Sequence, residues 1–370
     1  MKKVFRVLSI IIGCFILLSI PAAFIFGSTK HTDLDGTKKE KVTQFMNQFV
    51  KKNKFHGTVL VTYKGKTLLN RSYGFTNREE KIPFHNNVKF PIGSVTKSMT
   101  AISILQLEQE GKLSVKDKLS KYFPDFPKGE KITIHQILNH TSGLGDYLTM
   151  KDYMKPYSDE KILNLIYKDK LHSEPGEKFS YVNSGYYLLG RIIEKVSGVD
   201  YSTYLQKNIF DKAKMSNTEI MNKENNEWPV IGYENEKKVK NVHPSLLFAF
   251  GSVLSTKEDL IKYIDAIESH QLLSEEETNK MLKASTKIRL VGGYGYGWYV
   301  MNNAYSLNEK LYSHGGSLPG LRSGLMRYQD QDLTIVIFTN KGESFNYYAL
   351  GNEIASIIFD KRIWFYQKIQ

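Results

Sequence analysis

Apolar residues recur at helical spacing in some stretches of the chain and in unbroken β-branched or aromatic runs in others. The switches between the two patterns outline a fold. Val42, Phe45, Met46, Phe49 and Val50 fall three or four positions apart and predict an amphipathic helix. Residues 57–74, GTVLVTYKGKTLLNRSYG, hold two strand-like runs about Lys64-Gly65-Lys66 and predict a hairpin. Met99, Ile102, Leu105 and Leu107 predict a long helix from Ser94 to Glu110, stopped at Gly111. From about residue 112 to 287, helical segments such as 162–167 and 186–196 alternate with turns rich in Pro, Gly and Asn. Four strand-like runs follow at 294–301, 309–314, 323–328 and 332–339, and a last helix is predicted over about 345–359. The pattern predicts an α/β (α+β) fold: an antiparallel sheet flanked by helices and built from both chain ends, with a mostly helical insert over about 112–287.

Ahead of this unit, Lys2, Lys3 and Arg6 precede an uncharged apolar run over 7–27, whose 21 residues are about the length a helix needs to cross a bilayer. The run is longer than the apolar region of a cleaved signal, and Pro21-Ala22-Ala23 is a poor cleavage site. The expectation is a retained transmembrane anchor at 7–27, with residues 1–6 in the cytoplasm. A polar linker over 28–39 then leads to a catalytic unit over 40–370 on the extracellular face of the cell membrane, in single-pass topology.

Composition narrows the function classes. The chain has 370 residues, of which 41% are hydrophobic and 24% charged, so it can bury a sizeable core. Its only cysteine, Cys14, cannot form an internal disulfide. The net charge of +13 is spread along the chain and carried mostly by lysine, with no Arg-rich stripe interleaved with aromatics. That disfavours nucleic acid and suits an anionic surface or polymer.

Zinc-hydrolase, P-loop and Gly-x-Ser-x-Gly signatures are missing from the sequence. With 29 Ser and 43 Lys, about three Ser-x-x-Lys matches are expected by chance, so each match must be judged by context. Ser158-Asp159-Glu160-Lys161 precedes an amphipathic stretch, with acids where a helix N-terminus favours them, and reads as an N-cap. Ser94-Val95-Thr96-Lys97 follows Phe90-Pro91-Ile92-Gly93 and opens the long helix. There Lys97 lies one turn beyond Ser94 on the same face. A serine hydroxyl becomes a useful nucleophile when a base takes its proton, and a lysine can do so if burial or nearby charge lowers its pKa. Taken alone, the pattern describes a cap followed by a solvated lysine more readily than a catalytic pair.

Two further segments change the weighting. Tyr181-Val182-Asn183 lies in a glycine-flanked loop before an apolar helix, so Tyr181 can serve as a general base and Asn183 can orient a carbonyl. His314-Gly315-Gly316-Ser317 ends a predicted strand with small residues, which lets a ligand lie along the strand edge next to backbone N–H donors.

In this order, Ser94-x-x-Lys97, Tyr181-x-Asn183 and His314-Gly315-Gly316 resemble the three active-site motifs of the serine penicillin-recognising enzymes, in the branch of class C β-lactamases, DD-peptidases and related esterases. Leu138-Asn139-His140-Thr141-Ser142-Gly143-Leu144, the 175–183 segment, Gly190-Arg191-Ile192-Ile193-Glu194 and Gly251-Ser252-Val253-Leu254-Ser255-Thr256 look like hallmarks of the same branch. The resemblance covers roughly 40–359. It departs from the β-lactamases themselves at His314, where they usually have lysine.

The resemblance implies acyl transfer in a cleft between an α/β part and a helical part. Ser94 would be the nucleophile, Lys97 and Tyr181 would move its proton, and the N–H groups of Ser94 and Ser317 would hold the oxyanion. Asn183 would bind the acyl-side amide. His314 would position a substrate carboxylate or tune the tyrosine, beside Gly315 and Gly316. No metal or organic cofactor is implied. The expected substrate is a D-alanine-containing cell-wall peptide or ester; the alternatives are a β-lactam, or a silent wall-binding relative.

Overall fold

The computed structural model describes residues 31, 33–149, 153–221, 228–288, 292–302, 307–342 and 345–363. The first helix, α1 (Lys38–Asn53), begins two residues before the predicted unit. Thr37 and Glu40 form a reciprocal capping box, and Lys54 closes the helix in the left-handed region. Leu34, placed in the expected linker, is buried in the core.

An eight-stranded antiparallel sheet follows the predicted plan, except that the predicted run 294–301 turns back on itself at 295–298 and supplies the ends of two paired strands. Its strands are β1 (Gly57–Tyr63), β2 (Lys66–Tyr73), β3 (Thr286–Ile288), β4 (Gly292–Tyr294), β5 (Tyr299–Met301), β6 (Leu311–Leu318), β7 (Leu321–Tyr328) and β8 (Leu333–Thr339). They lie in the order β3-β4-β5-β6-β7-β8-β1-β2, so strands from the two ends of the unit meet where β8 pairs with β1. The β1–β2 turn takes Lys64 and Gly65 through positive φ, as a two-residue hairpin requires.

Both faces of the sheet are covered, so all seven residues of β8 are buried and its sequence is continuously apolar or Thr. Alternation sends Ile335 and Ile337, with Val59 and Val61 of β1, into a core shared with Leu350 and Ile354 of the last helix. Val336 and Phe338 enter the opposite core, where Phe338 stacks on Phe90 at 4.8 Å between ring centroids.

The chain between β2 and β3 supplies most of the helices: α2 (Thr96–Gln109), α3 (Asn183–Ser197) and α4 (Lys257–Glu268), with shorter pieces and three short strands, Phe90–Pro91, Glu219–Ile220 and Val253–Ser255. The last helix, α5 (Tyr347–Phe359), packs beside α1. All residues of α2 from Thr96 to Leu107 are buried, and such a helix needs its polar side chains satisfied internally. Ser98 and Ser103 donate back to Val95 O at 2.8 Å and Met99 O at 2.9 Å.

Two further sequence expectations require correction. The glycines after His314 do not end a strand: β6 runs on through Gly315 and Gly316, which pair with Gly324 and Ser323 of β7. The transmembrane helix is not part of the supported fold either. Among the described residues no helix is long and apolar enough to cross a membrane, and the expected span at 7–27 lies outside them. The anchor, and the single-pass cell-membrane placement that rested on it, are withdrawn.

Candidate active site

The first motif sits where α2 begins. Ile92 and Gly93 turn the chain out of the strand Phe90–Pro91, and a 3₁₀ turn over Gly93–Val95 feeds directly into α2. Gly93 has φ +52°, and a Cβ built there would lie 3.1 Å from Gly316 Cα and 3.4 Å from Ser317 N. A Cβ on Gly316 would lie only 2.0 Å from Ile92 O. Glycine at both positions therefore allows the Ser94 turn to rest against the backbone of β6. Ser323 holds the two together: its hydroxyl accepts from Gly316 N at 3.0 Å and donates to Ile92 O at 2.7 Å.

Lys97 is fully buried one turn beyond Ser94. Its Nζ lies 2.9 Å from Ser94 Oγ, 2.8 Å from Asn183 Oδ1 and 3.4 Å from Phe250 O. It also lies 4.7 Å from the ring centroid of Tyr181. Burial holds the Lys97 amine well below its ordinary pKa of 10.5, and the nearby Asp146 only partly offsets this.

The second motif opens α3. Asn183 is the first helical residue, and its N and Nδ2 both donate to Asp146 Oδ2, at 3.0 and 2.9 Å. Asn183 Oδ1 is thereby turned toward Lys97. Tyr181 reaches the site from the irregular segment before α3. Burial pushes its hydroxyl pKa well above 10, and a hydrogen bond to Ser94 opposes that shift. A standing tyrosinate is thus disfavoured here.

The third motif forms the strand wall. His314 is 1% exposed, and both ring nitrogens are engaged within the protein, Nδ1 with Gly315 O at 2.9 Å and Nε2 with the Tyr294 hydroxyl at 3.0 Å. One assignment satisfies both contacts: Nδ1–H donates to the carbonyl and Nε2 accepts from Tyr294. Burial, and after it the Lys97 cation, push His314 down to about pKa 3, despite the Gly315 carbonyl acting the other way. Gly315 packs against Tyr347. Ser317 is exposed at the cavity edge.

Ser94, Tyr181, Asn183 and Ser317 line a cavity of about 360 Å³, whose other walls are mainly apolar, including Leu148, Val242, Leu247 and Leu318. Lys97 lies beneath Ser94, and His314 lies behind the wall instead of facing into the cavity. Ser158, by contrast, caps the helix Asp159–Lys168 by accepting from Lys161 N at 3.3 Å. Asp146 and Ser323 were not anticipated from the sequence; neither carries a motif, and each meets its partners only through the fold. Among the described residues no group of three or more His, Cys, Asp or Glu could hold a metal ion.

A Ser–Lys pair at the start of a buried helix thus faces Tyr and Asn from a second element and a glycine-bearing sheet strand, an arrangement chemically able to support serine acyl transfer. The beta-lactamase family model matches residues 42–355, and the chain belongs to that family, whose members on this fold are serine hydrolases. Penicillin-binding protein 4* of Bacillus subtilis (strain 168) is 30% identical over 337 residues, which cover 84% of this chain and 73% of that protein. The penicillin-binding protein from Bacillus halodurans superposes with a TM-score of 0.74 at 28% identity, covering 85% of this chain and 98% of its own. A D-amino acid amidase from Ochrobactrum anthropi SV3 shares the fold, with a TM-score of 0.75 at 23% identity over 88% of this chain and 98% of its own.

Proposed function

We propose that the chain hydrolyses D-alanyl bonds of bacterial cell-wall polymers through an acyl-enzyme on Ser94, and that esters are its better substrates. The reading is carried by the buried Lys97 amine at 2.9 Å from Ser94 Oγ. A neutral amine has two hydrogens and one lone pair. Asn183 Oδ1 and Phe250 O can take the hydrogens, which leaves the lone pair for the Ser94 O–H.

In this scheme the Ser94 proton moves to Lys97 as Oγ bonds to the substrate carbonyl carbon. The oxyanion is held by the N–H groups of Ser94 and Ser317, whose close approach is supported by the contact between Gly93 and Gly316. Collapse breaks the bond to the leaving group, which receives the proton through the Tyr181 hydroxyl. Water then attacks the acyl-enzyme, giving up a proton by the reverse route, and Ser94 is released. Tyr181 serves as a neutral relay, consistent with its raised pKa. Asn183, tied to Lys97 and Asp146, keeps one amide hydrogen for an acyl-side carbonyl.

The preference for esters rests on His314. Neutral and turned into the protein, it offers no cation to a C-terminal carboxylate, and the apolar cavity wall offers none either. The test compares D-alanine p-nitrophenyl ester, a D-Ala-D-Ala peptide and benzylpenicillin as substrates of the full chain. Faster turnover of the ester, lost in Ser94→Ala and Lys97→Ala, is the expected result. Rapid penicillin turnover with no ester hydrolysis would make the chain a β-lactamase.

A further inference from the structure

The histidine of the 138–144 segment has no part in the scheme above, yet it touches the second motif at three points. His140 is 1% exposed and takes φ +59°, a conformation that residues other than glycine seldom adopt. Its carbonyl accepts from Ser180 N at 2.8 Å, and its Nδ1 accepts from Val182 N at 3.3 Å. The two peptide N–H groups flanking Tyr181 are therefore held by one residue. The same imidazole lies against the Tyr181 ring at 4.4 Å between centroids, with the planes 35° apart.

We infer that His140 is the positioning residue for Tyr181: it fixes the height of the hydroxyl above Ser94 by gripping the backbone on both sides of the tyrosine and supporting its ring. The inference rests on the proposed role of Tyr181 in proton transfer.

The surroundings fit this role. The segment bearing Tyr181 has no regular secondary structure between the helix Asp159–Lys168 and α3, so sheet or helix bonds cannot set its path. Further links attach it to the same turn: Gly176 N donates to Thr141 O at 2.7 Å and His172 N to Gly143 O at 2.8 Å. Because Nδ1 accepts from Val182, the imidazole proton resides on Nε2, which is buried without a hydrogen-bond partner among the described residues. An unpaired buried N–H is unfavourable, and a residue kept only for stability would be better replaced by one without it. Burial, with Lys97 and His314 nearby, keeps the ring neutral and Nδ1 free to accept.

The test is a double-mutant cycle on the full chain with D-alanine p-nitrophenyl ester. His140→Asn retains a side-chain acceptor and tolerates positive φ, but lacks the ring. It should lower kcat by about 10–100-fold with KM changed by less than about 3-fold, as expected when a proton-transfer group is misplaced by a fraction of an ångström. Tyr181→Phe should lower kcat by about 10²–10⁴-fold. If His140 acts through Tyr181, the double variant should be no slower than Tyr181→Phe alone.

Multiplicative losses in the double variant, or wild-type kcat in His140→Asn, would overturn the inference while leaving the role of Tyr181 intact. Wild-type kcat in Tyr181→Phe would overturn the underlying reading as well. Should His140→Asn fail to fold, amide hydrogen exchange of the wild-type chain decides: Ser180 and Val182 should be protected like the sheet strands, and rapid exchange at either contradicts the grip.

Discussion

On one side of the cavity, Ser94 sits on the 3₁₀ turn that feeds α2 and Lys97 on the first turn of that helix, which is buried from Thr96 to Leu107, and the Ser94 turn touches β6 backbone to backbone through Gly93 and Gly316. On the other side, Tyr181 and Asn183 are also tied by hydrogen bonds to the 139–146 segment, two of them made by the single Asp146 carboxylate oxygen. The Ser94 side is set by packing, where an added carbon has no room. The Tyr181–Asn183 side adds polar contacts to its ring packing, and these can be weakened without opening the core. Substitutions that fill the Gly93–Gly316 contact should therefore damage fold and rate together, and those that remove the polar contacts should lower the rate far more than the stability.

The sharpest break in this contrast is Gly316→Ala. The new Cβ falls 2.0 Å from Ile92 O, so the Ser94 turn and β6 must separate. Loss of the oxyanion donors should reduce kcat by at least about 10²–10³-fold. Overpacking should destabilise the fold by about 1–3 kcal/mol, seen as a lower melting temperature. A normal melting temperature with near-normal rate would show that the backbone contact is slack.

Asp146→Ala probes the opposite side. Asn183 loses the acceptor of both its N–H and its amide, and the loss of alignment should lower kcat by about 10–100-fold. The melting temperature should fall by far less than in Gly316→Ala. A comparable loss of stability in both variants would erase the distinction.

The smallest expected effects are those of pH. With the Lys97 pKa depressed, kcat/KM should rise with pH as the amine loses its proton, with a midpoint below 10.5. His314, at about pKa 3 in the fold, stays neutral across the working range and should add no inflection near 6.5. Its linkage acts on stability instead. Its contribution is fully present above the unfolded pKa of about 6.5 and declines as pH falls toward 3, because the unfolded chain binds that proton first. An inflection near 6.5 in kcat/KM that vanishes in His314→Gln would contradict this assignment.

The sheet and the motifs were legible because their signals are local. Strand and helix periods are written in consecutive residues, and Ser94 and Lys97 are joined by one helical turn. What lay beyond reach was contact across the chain. Asp146 meets Asn183 across 37 positions and Ser323 meets Ile92 across 231, so no short pattern marks either residue. The environment of His314 was equally hidden. Its motif position suggested a group that positions a substrate carboxylate or tunes Tyr181, and the contacts to Tyr294 and the Gly315 carbonyl that bury it carry no local pattern. The glycines after it read as a strand end because they lack β propensity. Pairing with Gly324 and Ser323 overrides that preference.

The proposed mechanism stands on a covalent bond to Ser94, and intact-protein mass spectrometry of the full chain quenched during turnover of D-alanine p-nitrophenyl ester measures it most directly. The predicted result is a D-alanyl adduct on the wild-type chain, mapped by peptide digestion to Ser94, and none on a folded Ser94→Ala variant. An adduct that persists in Ser94→Ala, or maps to Ser158 or Ser317, would contradict it.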